Sequence, residues 1–298
     1  MIGRPQRYLG VAILAAIIIV SASPALAYFE HVIASSRTDA LGGAFVAVAD
    51  DAAATWFNPA GLSGLQRFHL LATYRRPYSL SDVNEGFLVA AIPSSVGGFG
   101  VSWFYRGLEN AMAENLVTLS FGRDLKRTAE DASLSVGATM DYARVSVSDR
   151  FNSADAAVTF GLSAHMRLLP MIGMGYSVRN LNEATLRLVD GGEGTRLVRR
   201  QAWGLSYFWE NRMIVSYERR QDTIGEWHTL GGVELRLGQL ARLRSGLQAG
   251  RATMGLGLSW SGIVFDVGVN SHESLGASYV FTIGYGPPPP VNPYAQAP

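Results

Sequence analysis

The sequence predicts an all-β protein, an antiparallel transmembrane β-barrel of about fourteen strands. Three observations predict it. The chain is hydrophobic yet charge-poor, with 48% apolar residues, 33 glycines and only 16% charged residues, against a usual charged share of about 25%. Apolar residues recur with a period of two almost everywhere after His69. Beyond the first thirty positions no run of about 18 apolar residues could cross a membrane as a helix. A greasy chain without a spanning helix can satisfy its backbone in lipid only as a closed barrel.

The first element, residues 1–27, reads as a cleaved signal peptide. Arg4 and Arg7 form a basic start, Leu9–Val20 an apolar run, Pro24 a helix breaker, and Ala25-Leu26-Ala27 a small-residue cleavage site. The mature chain then begins near Tyr28, outside the cytoplasm. The chain has no cysteine, which excludes a disulfide scaffold, a thiolate metal site, a cysteine nucleophile and a lipoprotein anchor. A formal net charge of +1 gives no reason to expect a nucleic-acid partner.

The second element spans residues 28–66. Its stretch "TDALGGAFVAVADDAAATWFNPAGLSGL", Thr38 to Leu65, is rich in Ala and Gly and neither alternates nor carries the bulk of a core helix. The barrel follows over 67–285. Leu134, Val136, Ala138, Met140 and Tyr142 oppose Ser135, Gly137, Thr139, Asp141 and Ala143; Phe160 and Leu162 oppose Gly161 and Ser163. Each strand therefore has one apolar face and one small or polar face. A sandwich would turn the polar face to water, where Lys and Glu abound; a small-sided face suits a crowded lumen. Aromatics close the apolar stripes at Trp103, Tyr105, Tyr142, Trp203, Trp209, Tyr217, Trp227, Trp260 and Tyr285, as interfacial girdles require. The connections alternate between long and short, which places the C-terminus on the periplasmic side. The last element, 286–298 ("GPPPPVNPYAQAP"), is a Pro-rich tail with no means of pairing, expected to be disordered.

With the strands in place, the N-terminal stretch resembles the signature of the FadL-like outer-membrane barrels and of their PorV/PorQ-type relatives. The matching residues are Gly42, Gly43, Ala44, Ala49, Asp50, Asp51, Ala52 and Asn58-Pro59-Ala60-Gly61. The resemblance covers about thirty residues and implies a fourteen-stranded barrel whose N-terminal segment folds inside as a plug. Plug and gate candidates are accordingly Gly42, Gly43, Asp50, Asp51, Asn58, Pro59, Ala60 and Gly61. The resemblance implies a location in the bacterial outer membrane and passive transport of small hydrophobic molecules. Its alternatives are an accessory or shuttle barrel serving proteins of a secretion system, or a structural barrel. The family's long outer loops are absent, and the longest connection here, "NLNEATLRLVDGGEGTRLV", has few bulky apolar groups.

The inward charges Asp141, Arg167, Arg179, Glu234, Arg236 and Asp266, with His165, are the lumen-lining candidates. Charges inside a barrel require partners, which predicts pairing across the lumen or with Asp50 and Asp51. Ser135 or Ser163 with His165 and Asp141 is the one triad-like set, but composition does not make a triad. No enzyme, cofactor or metal is expected; the five histidines are scattered.

Overall fold

The computed structural model describes residues 28–29, 32–128, 132–148, 153–188, 194–210, 212–222, 224–272 and 275–286. The proposed signal peptide and all but the first residue of the Pro-rich tail lie outside these residues.

Fourteen long strands form the wall, at the positions the alternation predicts. They are β1 (His69–Arg76), β2 (Val83–Ser94), β3 (Gly97–Leu108), β4 (Met112–Arg127), β5 (Ser133–Val147), β6 (Ser153–Leu169) and β7 (Ile172–Arg179). After a two-residue hairpin, β8 (Thr185–Leu186) with β9 (Thr195–Arg196), come β10 (Arg200–Trp209), β11 (Met213–Gln221) and β12 (Trp227–Leu237). β13 (Ala241–Gln248), β14 (Arg251–Trp260), β15 (Ile263–His272) and β16 (Gly276–Tyr285) complete it. Every wall strand pairs antiparallel with its neighbours, and β1 closes on β16 from Leu70 opposite Tyr285 to Arg76 opposite Tyr279. Closure leaves no edge between first and last strand.

The burial pattern is that of a barrel in lipid. Along β5 it alternates strictly from Ser133 to Val145, with Leu134, Val136, Met140 and Tyr142 outward. Short turns at 95–96, 170–171, 238–240 and 261–262 define one rim, the turn end; the connections at 77–82 and 180–199 lie at the other, the loop end. Outward aromatics ring both. Tyr74, Trp103, Tyr142, Trp203, Tyr217, Trp227 and Tyr279 sit toward the loop end, and Tyr207, Trp209, Trp260 and Tyr285 toward the turn end. Some of their polar tips are satisfied: Tyr74 Oη donates to Asn84 Oδ1 at 2.8 Å and Trp103 Nε1 to Asn115 Oδ1 at 3.2 Å. A ring body in apolar surroundings with its polar tip bonded suits a membrane interface.

Inside runs the N-terminal segment. Residues 32–62 are all buried, although the segment has no sheet of its own. Helix α1 (Ser36–Ala40) starts with a capping box, in which Thr38 N donates to Ser35 Oγ and Ser35 N to Thr38 Oγ1, each at 3.1 Å. Gly42 and Gly43 end it at φ 64° and 79°, values that favour glycine. A short helix α2 (Ala54–Phe57) and a 3-10 turn (Pro59–Gly64) return the chain to β1.

Two sequence-based expectations need correction. The inward face is not uniformly small and polar: toward the loop end Phe87, Val89, Phe104, Leu116 and Val145 point inward and join Tyr28, Phe29 and Val32 in one apolar core. The long connection also contributes, since Leu186 and Leu197 of the β8–β9 hairpin are buried in that core. A lumen this wide leaves volume that one buried segment fills only in part, and bulky wall side chains fill more of it.

Candidate functional site

Wall glycines seat the lumenal segment. A Cβ on Gly98 would strike the Leu62 carbonyl, one on Gly122 the Pro59 carbonyl, and one on Gly175 the Val46 carbonyl. Gly232 faces the Leu41 carbonyl and Gly246 the Gly42 amide in the same way. Glycine is required here because backbone meets backbone. The contacting strands, β3, β4, β7, β12 and β13, surround the lumen.

Polar wall side chains then take up the segment's backbone groups. Glu218 Oε2 accepts from Phe45 N and Val46 N, each at 2.8 Å. Ser206 Oγ donates to the Ala47 carbonyl at 2.8 Å, and His165 Nε2 lies 2.9 Å from the same oxygen. A carbonyl only accepts, so His165 carries its proton on Nε2. Ser163 Oγ accepts from Ala60 N at 3.1 Å, so Ser163 and His165 each serve the segment and form no triad. Asn58 fastens the segment both to itself and to the wall. Its Oδ1 accepts from Ala60 N at 3.2 Å, while Nδ2 donates to the Val46 carbonyl at 2.7 Å and the wall carbonyl of Ala164 at 3.1 Å. Pro59 opens the 3-10 turn that carries Ala60 and Gly61.

The charges fall into groups. Asp141 accepts from Arg179 Nη2 at 2.6 Å and from Thr118 Oγ1 at 2.6 Å. Arg179 reaches on into the segment, donating to the Trp56 carbonyl at 2.7 Å and stacking 3.6 Å from the Trp56 ring centroid. Arg167 stacks 4.4 Å from the Phe208 ring and donates to the Pro170 carbonyl at 3.1 Å. Arg236 is half-buried near the turn end. The central group is built on Arg37 of α1. Its Nη1 donates to Asp50 Oδ1 at 2.6 Å and to Asp51 Oδ2 at 2.7 Å, and its Nε to Glu234 Oε2 at 2.8 Å. Arg244 joins at 2.7 Å from Glu234 and 2.8 Å from Asp266.

This corrects the expected partners of Asp50 and Asp51. They pair with Arg37, within the segment, and not with a wall arginine. Helix α1 turns Arg37 toward the later Asp50-Asp51 corner, and Arg37 bridges that corner to Glu234 of the wall. Asp51 also accepts from Ala53 N at 2.8 Å, and Glu234 has Arg244, whereas Asp50 has Arg37 alone among the described residues. Burial pushes the Asp50 carboxyl up to about 6; Arg37 opposes this, and Asp51 and Glu234 add to it.

Two cavities lie on either side of this cluster. The larger, about 530 Å³, occupies the loop-end half of the lumen. Val32, Ile33, Thr38, Asp39, Trp56 and Phe57 of the segment line it, with Leu80, Val83 and Leu230 and the arginines Arg75, Arg106, Arg179, Arg200, Arg220 and Arg251. A recess of about 30 Å³ at the turn end is lined by Ser35, Arg37, Asp51, His69, Arg244, Asp266 and Tyr285. Helix α1 stands between them, with Thr38 and Asp39 toward one and Ser35 and Arg37 toward the other. Among the described residues no group of three or more His, Asp or Glu could hold a metal ion.

Several contributors were not singled out in the sequence: Arg37, Glu218, Arg220, Arg244, and the Glu85 that accepts from Arg75 and Arg106 at 3.1 and 2.7 Å. The sequence signal of Glu85, Glu218, Arg220 and Arg244 is a charge on the inward parity of a strand. Arg37 had none, because helix α1 alone brings it to its partners.

No family model and no curated protein matches the sequence. Solved structures do resemble the fold. The CymD monoaromatic hydrocarbon channel has a TM-score of 0.60 at 13% identity, over 85% of this chain and 96% of that one. A FadL homologue from Pseudomonas aeruginosa gives 0.57 at 12%, over 87% and 99%. The toluene transporter TbuX of Ralstonia pickettii gives 0.56 at 11%, over 87% and 99%. At such identities the likeness is one of fold: this chain has the closed fourteen-stranded architecture of FadL-type barrels.

Proposed function

We propose that the protein is a bacterial outer-membrane barrel that passes small hydrophobic molecules passively across that membrane. The observation that carries this reading is the cavity of about 530 Å³ at the loop end, floored by the buried N-terminal segment and lined by Trp56, Phe57, Val32, Ile33 and Leu230. A pocket of this size, with apolar side chains of the segment set among polar and charged groups of the wall, can hold a small organic molecule. The similar solved structures, described as hydrocarbon channels and toluene transporters, support the choice. In this reading residues 1–27 direct export, 28–66 are the plug, 67–285 the barrel and 286–298 a periplasmic tail. Arg37, Asp50, Asp51 and Asn58 hold the plug, and a solute entering at the loop end reaches the periplasm only when the α1 region shifts.

Uptake of labelled toluene, naphthalene and a long-chain fatty acid, compared between a deletion strain and its complemented parent, tests the proposal. Uptake restored by the gene for at least one of them is expected. Equal uptake of all three would sink it and would favour a secretion-accessory barrel.

A further inference from the structure

The loop-end cavity presents arginine to its contents and keeps its carboxylates behind. Six arginines line it against four carboxylates. Each carboxylate is already held. Glu85 accepts from Arg75 and Arg106, and Glu218 from Arg220 and from Phe45 N and Val46 N. Asp222 faces His228 Nε2 at 2.8 Å and accepts from Ile224 N and Glu226 N of its own loop, and Asp39 accepts from Asn270. Exposure differs in the same sense. The Glu85 and Glu218 side chains are 5% and 1% exposed, while those of Arg106 and Arg220, which cover them, are 18% and 21% exposed. Arg251 of β14 is half-buried, and its side chain makes no hydrogen bond or ion pair among the described residues. Arg106, Arg220 and Arg251 stand on β3, β11 and β14, at separated points of the closed wall, so guanidinium surrounds the cavity.

A cleft lined by one sign of charge focuses its field inward and concentrates ions of the opposite sign. The recessed carboxylates stand farther from the contents than the guanidiniums that cover them, so the nearer charge dominates. A cation finds no bare aromatic face on the segment. Arg179 stacks 3.6 Å from the Trp56 ring centroid and Arg220 lies 5.1 Å from that of Phe57, so each ring already carries a guanidinium. A guanidinium matches a carboxylate through two parallel hydrogen bonds. The apolar side chains that the segment offers are Val32, Ile33, Trp56 and Phe57, a short surface ringed by charge, which suits a ring better than a long alkyl chain. We propose that the cavity binds small aromatic carboxylates, with Arg251 pairing with the carboxylate and Arg106 and Arg220 adding to the field that draws it in. This rests on the transport reading and narrows its solute class to molecules that join a compact apolar body to a negative charge.

The test uses the full mature chain, folded in a neutral detergent, with binding followed by calorimetry against detergent alone. The probes share one shape and differ in charge: 4-methylbenzoate, toluene and 4-methylbenzylamine, which is cationic at neutral pH. At low salt the carboxylate is expected to bind about tenfold or more tighter than the other two, and raising the salt to about 0.5 M should remove most of that preference. Arg251→Gln should lower carboxylate affinity about tenfold and leave toluene unchanged. Arg251→Lys keeps the charge and should restore most of the preference, a recovery that loss of packing alone does not give. If the glutamine variant does not fold, as judged by its heat-modifiable mobility, the parent's salt dependence and the lysine variant carry the test. Equal binding of carboxylate and toluene by the parent protein overturns the proposal and leaves the transport reading standing. So does tightest binding by the amine, a carboxylate preference that salt does not weaken, or one that survives intact in folded Arg251→Gln. Failure of all three probes to bind removes both.

Discussion

Arg37 shows how one residue can hold a segment that has no core of its own. Its guanidinium bonds Asp50, Asp51 and Glu234 at 2.6 to 2.8 Å, deep in the lumen. Truncating a buried charge leaves its partners uncompensated, which typically costs about 3–5 kcal/mol. Arg37→Met should therefore lower the denaturation midpoint of the refolded barrel by a corresponding amount. It should also raise single-channel conductance in planar bilayers; unchanged stability and conductance would contradict the holding role. Asp50 gives a pH signature. Its pKa is about 6 in the folded chain against 3.8 ordinarily, so between about pH 4 and 6 the folded state holds a proton that the unfolded state has released. A raised acid favours folding below this window, and its contribution falls as pH rises through it, by at most about 3 kcal/mol. Urea midpoints measured from pH 4 to 7 should thus decline more steeply for the parent than for Asp50→Asn. The role of Asn58 was legible from its type, because an Asn before Pro commonly caps a turn; its bond to the Ala164 carbonyl of the wall was not.

At the scale of the element, the strands were legible to within a few residues at each end, because side chains alternate faces and only one face meets lipid. The parity predicts Leu162 outward, and it is 55% exposed. Leu162→Arg should cost about 2–4 kcal/mol if it sits near the bilayer midplane, measured by reversible unfolding in liposomes. Tolerance of the arginine would reverse the inside and outside faces. The small residues of the inner face were legible as small, but the reason was not. Gly122, Gly175 and Gly232 are each opposed by a backbone carbonyl of the segment, a relation that exists only once the segment is seated. Gly175→Val should leave a closed barrel that resists denaturant less well and exposes the segment to protease. The apolar inner patch from Phe87 to Val145 escaped because the same parity that marks a residue as inward says nothing of what fills the space opposite.

The whole molecule is a wall wound around its own N-terminus. The wall closes through the β1–β16 ladder, and the lumen is closed by contacts from many strands to one segment. A barrel of this kind should migrate anomalously in a gel without heating and normally after boiling; solubility in plain buffer without such a shift would contradict the membrane barrel.

By itself the sequence determined the membrane barrel, its fourteen strands and which side chains face lipid. These follow from short-range periodicity and composition, which each strand carries independently. The tertiary structure alone decided the partners. Arg37 meets Asp50 across 13 positions and Glu234 across 197. Charge pairing and cavity shape depend on distances between segments far apart in the chain, and no local pattern encodes those distances before the barrel has closed around its plug.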